Sequence, residues 1–163
     1  MMKRLILVRH AHALSGDDTM LDRERPLSQR GEREAPMMGR RLAMQRFKSD
    51  LVLSSPAQRA VRTATLLAAE SGYAAEHIMT NERIYEATAA DLITLVQQLD
   101  EQHSDVMLVG HNPAITEMAA RLTSHHVEPL PTCGIFGMDL TVEQWQDVTE
   151  GCGTNIFYDT PRG

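Results

Sequence analysis

Three short segments bring together side chains that can hold and attack an anion: Arg9-His10, Ser54-Ser55-Pro56-Ala57-Gln58-Arg59 and Gly110-His111. Two arginines and two histidines, each following an apolar run, suit the handling of a phosphoryl group. Arginine forks match phosphate oxygens by paired hydrogen bonds and stay charged at any working pH. A neutral imidazole nitrogen attacks phosphorus and carries it as phosphohistidine. His10 is the expected nucleophile, kept neutral by the cations around it. His111, once protonated, would donate to the equatorial oxygens, where fixed donors must meet the charge of the transition state.

These residues meet only if the runs before them are strands. Leu5-Ile6-Leu7-Val8 is continuously apolar and partly β-branched, as a strand buried on both faces would be. Lys3–Val8, Asp50–Leu53 and Asp105–Val109 are therefore expected strands, each running into a candidate residue. In open parallel sheets that edge is where ligands bind. Gly110 would let the backbone approach closely there or take a positive φ.

Helix signals fill the gaps. Ser28 is the N-cap of a helix predicted to reach Phe47, with Pro36 as a kink or as the start of a second helix. Ser55-Pro56 and Asn112-Pro113 each read as a cap followed by a first-turn proline. Their helices should end near Ser71, before Gly72, and near Leu122. Ala89–Gln102 carries Leu92, Leu95, Val96 and Leu99 on one helical face. His77–Thr80, Gly134–Leu140 and Gly153–Asp159 are further expected strands, and Ala11–Pro26 and Ser124–Cys133 are expected loops. This alternation predicts an α/β fold with a mainly parallel central sheet, formed by a single domain over residues 1–163.

The formal charge of −6 argues against nucleic acid and anionic membrane as partners. Any basic site must then be local, fitted to a small anionic group. No apolar stretch approaches the length of a membrane span, and no secretory signal is evident. Cys133 and Cys152 form neither a metal motif nor a disulfide framework, which points to reduced thiols in the cytoplasm.

Arg9-His10-Ala11, Ser54-Ser55-Pro56-Ala57-Gln58-Arg59-Ala60-Val61-Arg62-Thr63-Ala64 and Val109-Gly110-His111-Asn112-Pro113 together resemble the histidine phosphatase superfamily, which includes the phosphoglycerate mutases. Arg25-Pro26-Leu27-Ser28-Gln29-Arg30-Gly31 is similar to a segment of the SixA-type phosphohistidine phosphatases. The resemblance extends from about Lys3 to Leu122. It implies a three-layer αβα sandwich, His10 as nucleophile, and Arg9, Arg59 and His111 as phosphate ligands. Ala11 stands where the wider superfamily usually has glycine, and SixA-like members often have alanine there. The loop after His10 lacks an asparagine, with Gly16 near its place, which leaves one phosphate contact of the family unassigned.

Mutases of the family carry their general acid in an L-x-E motif after the second helix, and Ile84-Tyr85-Glu86 matches it in position. Glu86 reads equally as that proton donor or as an ordinary surface carboxylate. Asp17, Asp18 and Asp22 are further candidates. An imidazole leaving group, with a pKa of roughly 6.5, needs less help from an acid than an alkoxide. Only one helix-sized segment separates Glu86 from His111, where larger relatives insert a cap over the substrate. The expected site is therefore open. It suits a phosphohistidine on another protein and also admits small phosphate esters.

The resulting expectation is a metal-independent phosphatase without a cofactor, acting on a phosphorylated protein and releasing inorganic phosphate. A small-molecule phosphomonoesterase and a non-catalytic phosphate-binding module are the alternatives. Metal-dependent hydrolysis through His10, His12 and His111 is opposed by the two arginines, which would repel a cation. His12 reads as solvated or as a support behind the site, His125 and His126 as exposed, and Arg62 as a helix-surface residue. Arg23, Arg25 and Arg30 read as solvated or as contacts for an acidic partner. Met37, Met38 and Met44 read as core, and both cysteines as packed.

Overall fold

The computed structural model describes residues 2–162. Six strands form one sheet: β1 (Lys3–Arg9), β2 (Leu51–Ser54), β3 (Met79–Thr80), β4 (Asp105–Gly110), β5 (Ile135–Leu140) and β6 (Gly153–Asp159). Their order is β3-β2-β4-β1-β5-β6. The first four strands of that order run parallel. The last two strands alternate in direction, β5 antiparallel to β1 and β6 antiparallel to β5. The sheet is thus mixed, with a parallel majority.

The helices are α1 (Gln29–Met44), α2 (Gln58–Ala69), α3 (Ala89–Gln97) and α4 (Ala114–Thr123). Alternation along β1 builds the layers. Leu5 and Leu7 pack with α3 and α4 through Leu92, Leu95, Ile115 and Met118. Ile6 and Val8 point to the other face, against α1 and α2 through Met38, Leu42, Ala60 and Leu67. Strands covered on both faces are continuously apolar for this reason, and each fully buried aliphatic side chain contributes about 1.5–3 kcal/mol. The result is the three-layer αβα sandwich.

Several boundaries differ from the sequence expectation. Pro36 sits inside an unbroken α1. Met38 is fully buried, but Met44, in the last turn, is exposed. Ser55 does not cap α2. Its amide extends the sheet by donating to the Val109 carbonyl, and α2 begins only at Gln58. Asn112 does not cap α4 either, because its side chain is bonded to Thr116 and Leu130, and Pro113 is the capping residue. The Asn112–Pro113 peptide is cis. α3 stops at Gln97, where Asp100 takes the Gln102 amide into a local turn that competes with the helix. Gly110 keeps an ordinary strand conformation, and a Cβ there would press on Ile115 and Ile84. Among the described residues no helix is long and apolar enough to cross a membrane.

Candidate active site

β1 delivers His10 to the parallel edge of the sheet and ties it down on both sides. The His10 amide donates to the Gly110 carbonyl, and the Cys133 amide meets the carbonyls of Arg9 and His10. The next residue, Ala11, donates its amide to Thr63 Oγ1, whose hydroxyl in turn donates to the Arg59 carbonyl. One hydrogen-bonded path therefore joins the exit of β1 to the first turn of α2, where Arg59 sits. Downstream, the His12 carbonyl accepts from the amide and hydroxyl of Ser28, the N-cap of α1.

Arg9, His10, Arg59 and His111 all line one cavity of about 330 Å³, and Glu86 lines it too. The rings of His10 and His111 lie 5.1 Å apart between centroids. The four residues expected to converge therefore do so. His12 turns elsewhere: its Nδ1 is 2.7 Å from Ser28 Oγ, in a separate groove of about 810 Å³. Arg62 pairs with Glu32 on the surface of α2. His125 and His126 are exposed, and Cys133 and Cys152 are buried. Among the described residues, no cluster of three or more potential metal ligands forms.

His10 has only 9% of its surface exposed. Its Nδ1 lies 2.8 Å from the Ala11 carbonyl. A carbonyl only accepts, so Nδ1 carries the hydrogen, and in the neutral ring the lone pair belongs to Nε2. Burial pushes the pKa of His10 down to about 3, with the charges of His111, Arg59 and Arg9 adding to the effect. Desolvation, more than the neighbouring cations, keeps the ring neutral. His111 is likewise pushed down to about 4, by burial first and by Arg59 second. It is therefore neutral in this state, and the protonated form considered from the sequence would need a bound dianion to raise its pKa. His111 Nε2 lies 2.8 Å from Ser55 Oγ, which also accepts from the Ala57 amide. A hydroxyl both donates and accepts, so this contact suits either neutral tautomer of His111.

Asp22, Arg25 and Tyr85 are wall residues whose place the sequence did not reveal. Asp22 comes from a short helical turn, Asp22–Glu24, in the loop after β1. Its carbonyl accepts from Arg59 Nη1 at 2.8 Å, and its carboxylate from Arg59 Nη2 at 3.0 Å. The same carboxylate accepts from Tyr85 Oη at 2.6 Å and from Arg25 Nη1 at 2.9 Å. Tyr85, Arg25 and Arg59 together hold it well below the usual carboxylate range. Asp22 is thus ionised and unsuited to giving a proton. Asp17 is bonded to Thr19 in the exposed loop. Glu86 is the carboxylate in the wall that no cation binds among the described residues, and its backbone has φ 58°. A signal for Arg25 existed, since it opens the segment Arg25–Gly31. The sequence offers Asp22 only as a candidate proton donor; its bonds to Arg59 and Tyr85, from distant parts of the chain, make it an ionised anchor instead.

Residues 5–92 match the family model of the histidine phosphatase superfamily (branch 1). An uncharacterised protein of Mycobacterium tuberculosis, Rv1276c, is 30% identical over 167 residues, covering 95% of this chain and all of its own length. The uncharacterised chloroplastic protein At3g52155 of Arabidopsis thaliana is 29% identical, covering 89% of this chain and 70% of its own. Among solved structures, the SixA protein of Agrobacterium tumefaciens superposes with a TM-score of 0.84 at 24% identity, over 99% of both chains. The protein histidine phosphatase SixA complexed with tungstate gives 0.83 at 21%, over 98% of this chain and 97% of that one. The mycobacterial glucosyl-3-phosphoglycerate phosphatase Rv2419c gives 0.67 at 15%, over 95% and 97%. At these identities the structural likeness concerns the fold.

Proposed function

The chain belongs to the histidine phosphatase superfamily, and from that premise we propose that it hydrolyses phosphohistidine on a protein through a covalent intermediate at His10. The observation that carries this reading is the neutral imidazole of His10, its Nδ1–H committed to the Ala11 carbonyl, inside a cavity walled by three guanidinium groups.

In the first step the Nε2 lone pair attacks phosphorus and the bond to the leaving imidazole breaks. The electron pair of that bond goes to the departing nitrogen, which is protonated by Glu86 or by water. Arg9, Arg59 and the N–H of His111 meet the equatorial oxygens. In the second step water attacks the phosphohistidine, inorganic phosphate leaves, and His10 Nε2 regains its lone pair. No metal enters either step. Protein phosphohistidine is favoured as substrate by the short connection between Glu86 and His111, which holds only α3 and β4 and no cap. A small phosphate ester would fit the same chemistry and is the competing reading.

Rapid quenching after mixing with a phosphohistidine protein labelled on phosphorus should trap label on His10, in an acid-labile and base-stable form. Label on another residue, or turnover with none trapped at any time, would overturn the mechanism. A higher kcat/KM for a small ester than for the phosphoprotein would overturn the substrate.

A further inference from the structure

A second cavity also has Arg9 in its wall. It measures about 260 Å³, and its wall includes Arg9, Arg30, Thr132, Thr160 and Arg162. Arg9 is therefore shared between this cavity and the one holding His10. We propose that the second cavity is a subsite for a second anionic group, phosphate or carboxylate, of the same substrate. The inference rests on the phosphatase reading and adds to it the substrate class, a phosphoryl compound with another anion close by.

Topology places the two cavities on one edge. β6 is antiparallel to β5, and β5 to β1, so β6 runs in the direction of β1. Ile135 pairs with Val8 on one side and with Asp159 on the other, so the tail after Asp159 emerges two strands from the end of β1. Two strand spacings are about 10 Å. Arg30, in the first turn of α1, reaches the same edge.

The cavity is built from anchored parts. Arg41 Nη1 donates to Asp159 Oδ2 at 3.1 Å and to the Thr160 carbonyl at 2.9 Å, fixing the tail against α1. Arg9 Nη1 donates to the Leu130 carbonyl at 3.0 Å, just before Pro131 and Thr132. Of the three arginines only Arg30 has a carboxylate partner among the described residues, Glu34 at 3.2 Å. In a chain of formal charge −6, this local surplus of guanidinium groups, beside Thr132 and Thr160, calls for a compact anion. An anion at His10 and another here would both touch Arg9, so the spacing between the two groups of the substrate becomes a selection rule.

Calorimetric binding tests this without turnover. Alkane bisphosphonates with two to five methylenes are compared with the alkyl monophosphonates of matched length. At least one bisphosphonate should bind the native protein about tenfold more tightly than its monophosphonate. Arg30→Gln and Arg162→Gln, singly and together, should erode that advantage and leave monophosphonate affinity within about twofold. Equal affinities in the native protein, or equal losses for both ligand classes, would overturn the subsite. Failure of every monophosphonate to bind would instead overturn the phosphatase reading beneath it, and the subsite with it. Turnover then identifies the source of the second anion. A loss of kcat/KM in the double variant confined to phosphohistidine peptides with acidic flanks, against neutral flanks, assigns it to a protein carboxylate. A loss confined to a small bisphosphate assigns it to a second phosphate, and a loss in neither overturns the proposal.

Discussion

At the scale of single residues, the proposed chemistry depends on an imidazole held neutral in a place full of positive charge. Burial of His10 does most of this work, and it leaves a mark on stability. The folded ring titrates at about 3, against roughly 6.5 in the unfolded chain. Below that upper value the unfolded chain takes up a proton that the folded chain refuses, so stability falls as pH falls. His10 alone should contribute a slope of about 1.4 kcal/mol per pH unit in that window. His111, pushed down to about 4, acts in the same direction. Urea unfolding between pH 6 and pH 4.5 should therefore show a flatter pH dependence in His10→Gln than in the native protein. An unchanged slope would mean that the ring is solvated.

Asp22 makes a different prediction. It accepts from Arg59, Arg25 and Tyr85, and it uses two of the five N–H donors of Arg59. Removing the carboxylate frees Arg25 and Tyr85 and leaves Arg59 held only through the Asp22 carbonyl. Asp22→Ala should raise KM about tenfold and lower kcat less, with little change in Tm because Asp22 is half exposed. An equal fall in kcat with KM unchanged would instead mark Asp22 as a participant in the chemical step.

At the scale of elements, the site depends on how closely helices approach the sheet edge. Gly31 lies in the first turns of α1, and a Cβ there would overlap the His12 carbonyl oxygen, two residues beyond His10. That contact is with backbone, so a side chain cannot be accommodated by a change of rotamer. Gly31→Ala should move α1 away from the exit of β1, costing about 1–3 kcal/mol of stability and also reducing kcat. Gly39 is the contrasting case. Its Cβ would meet the Leu67 carbonyl at 2.7 Å, in the third turns of α1 and α2, away from the first-turn positions near His10. Gly39→Ala should lower Tm comparably and spare kcat at temperatures where it remains folded. Circular dichroism melting with steady-state kinetics on both variants would separate the two effects.

At the scale of the whole molecule, the absence of a cap between Glu86 and His111 sets what can reach His10. A phosphohistidine protein should be turned over with kcat/KM at least about tenfold above that of p-nitrophenyl phosphate, since remote contacts add to transition-state binding only for the larger substrate. Prolonged treatment with a chelator should leave both rates unchanged. Loss of activity restored by zinc or manganese would replace the covalent mechanism with metal-assisted hydrolysis.

Much of this was legible along the chain. Leu5–Val8, Leu51–Leu53 and Val106–Val109 are strands, because a sheet covered on both faces demands unbroken apolar runs, and such runs are visible in one dimension. Arg9, His10, Arg59 and His111 were legible for the same reason, since each follows such a run and parallel strands bring their ends to one edge. The starts of α2 and α4 were misread because Ser55 and Asn112, good caps by type, spend their side chains on tertiary partners, His111 for one and Thr116 and Leu130 for the other. The bonds of Asp22 to Arg59 and Tyr85 were hidden in the same way. They join the loop after β1 to α2 and to the segment before α3, far apart in the chain, and no local period records such a meeting. What the order of residues determined was the sheet and the four groups at its edge. What only folding decided was the charge state of those groups and the company they keep, because desolvation and hydrogen bonding are properties of a place, and a place exists only once the chain has closed around it.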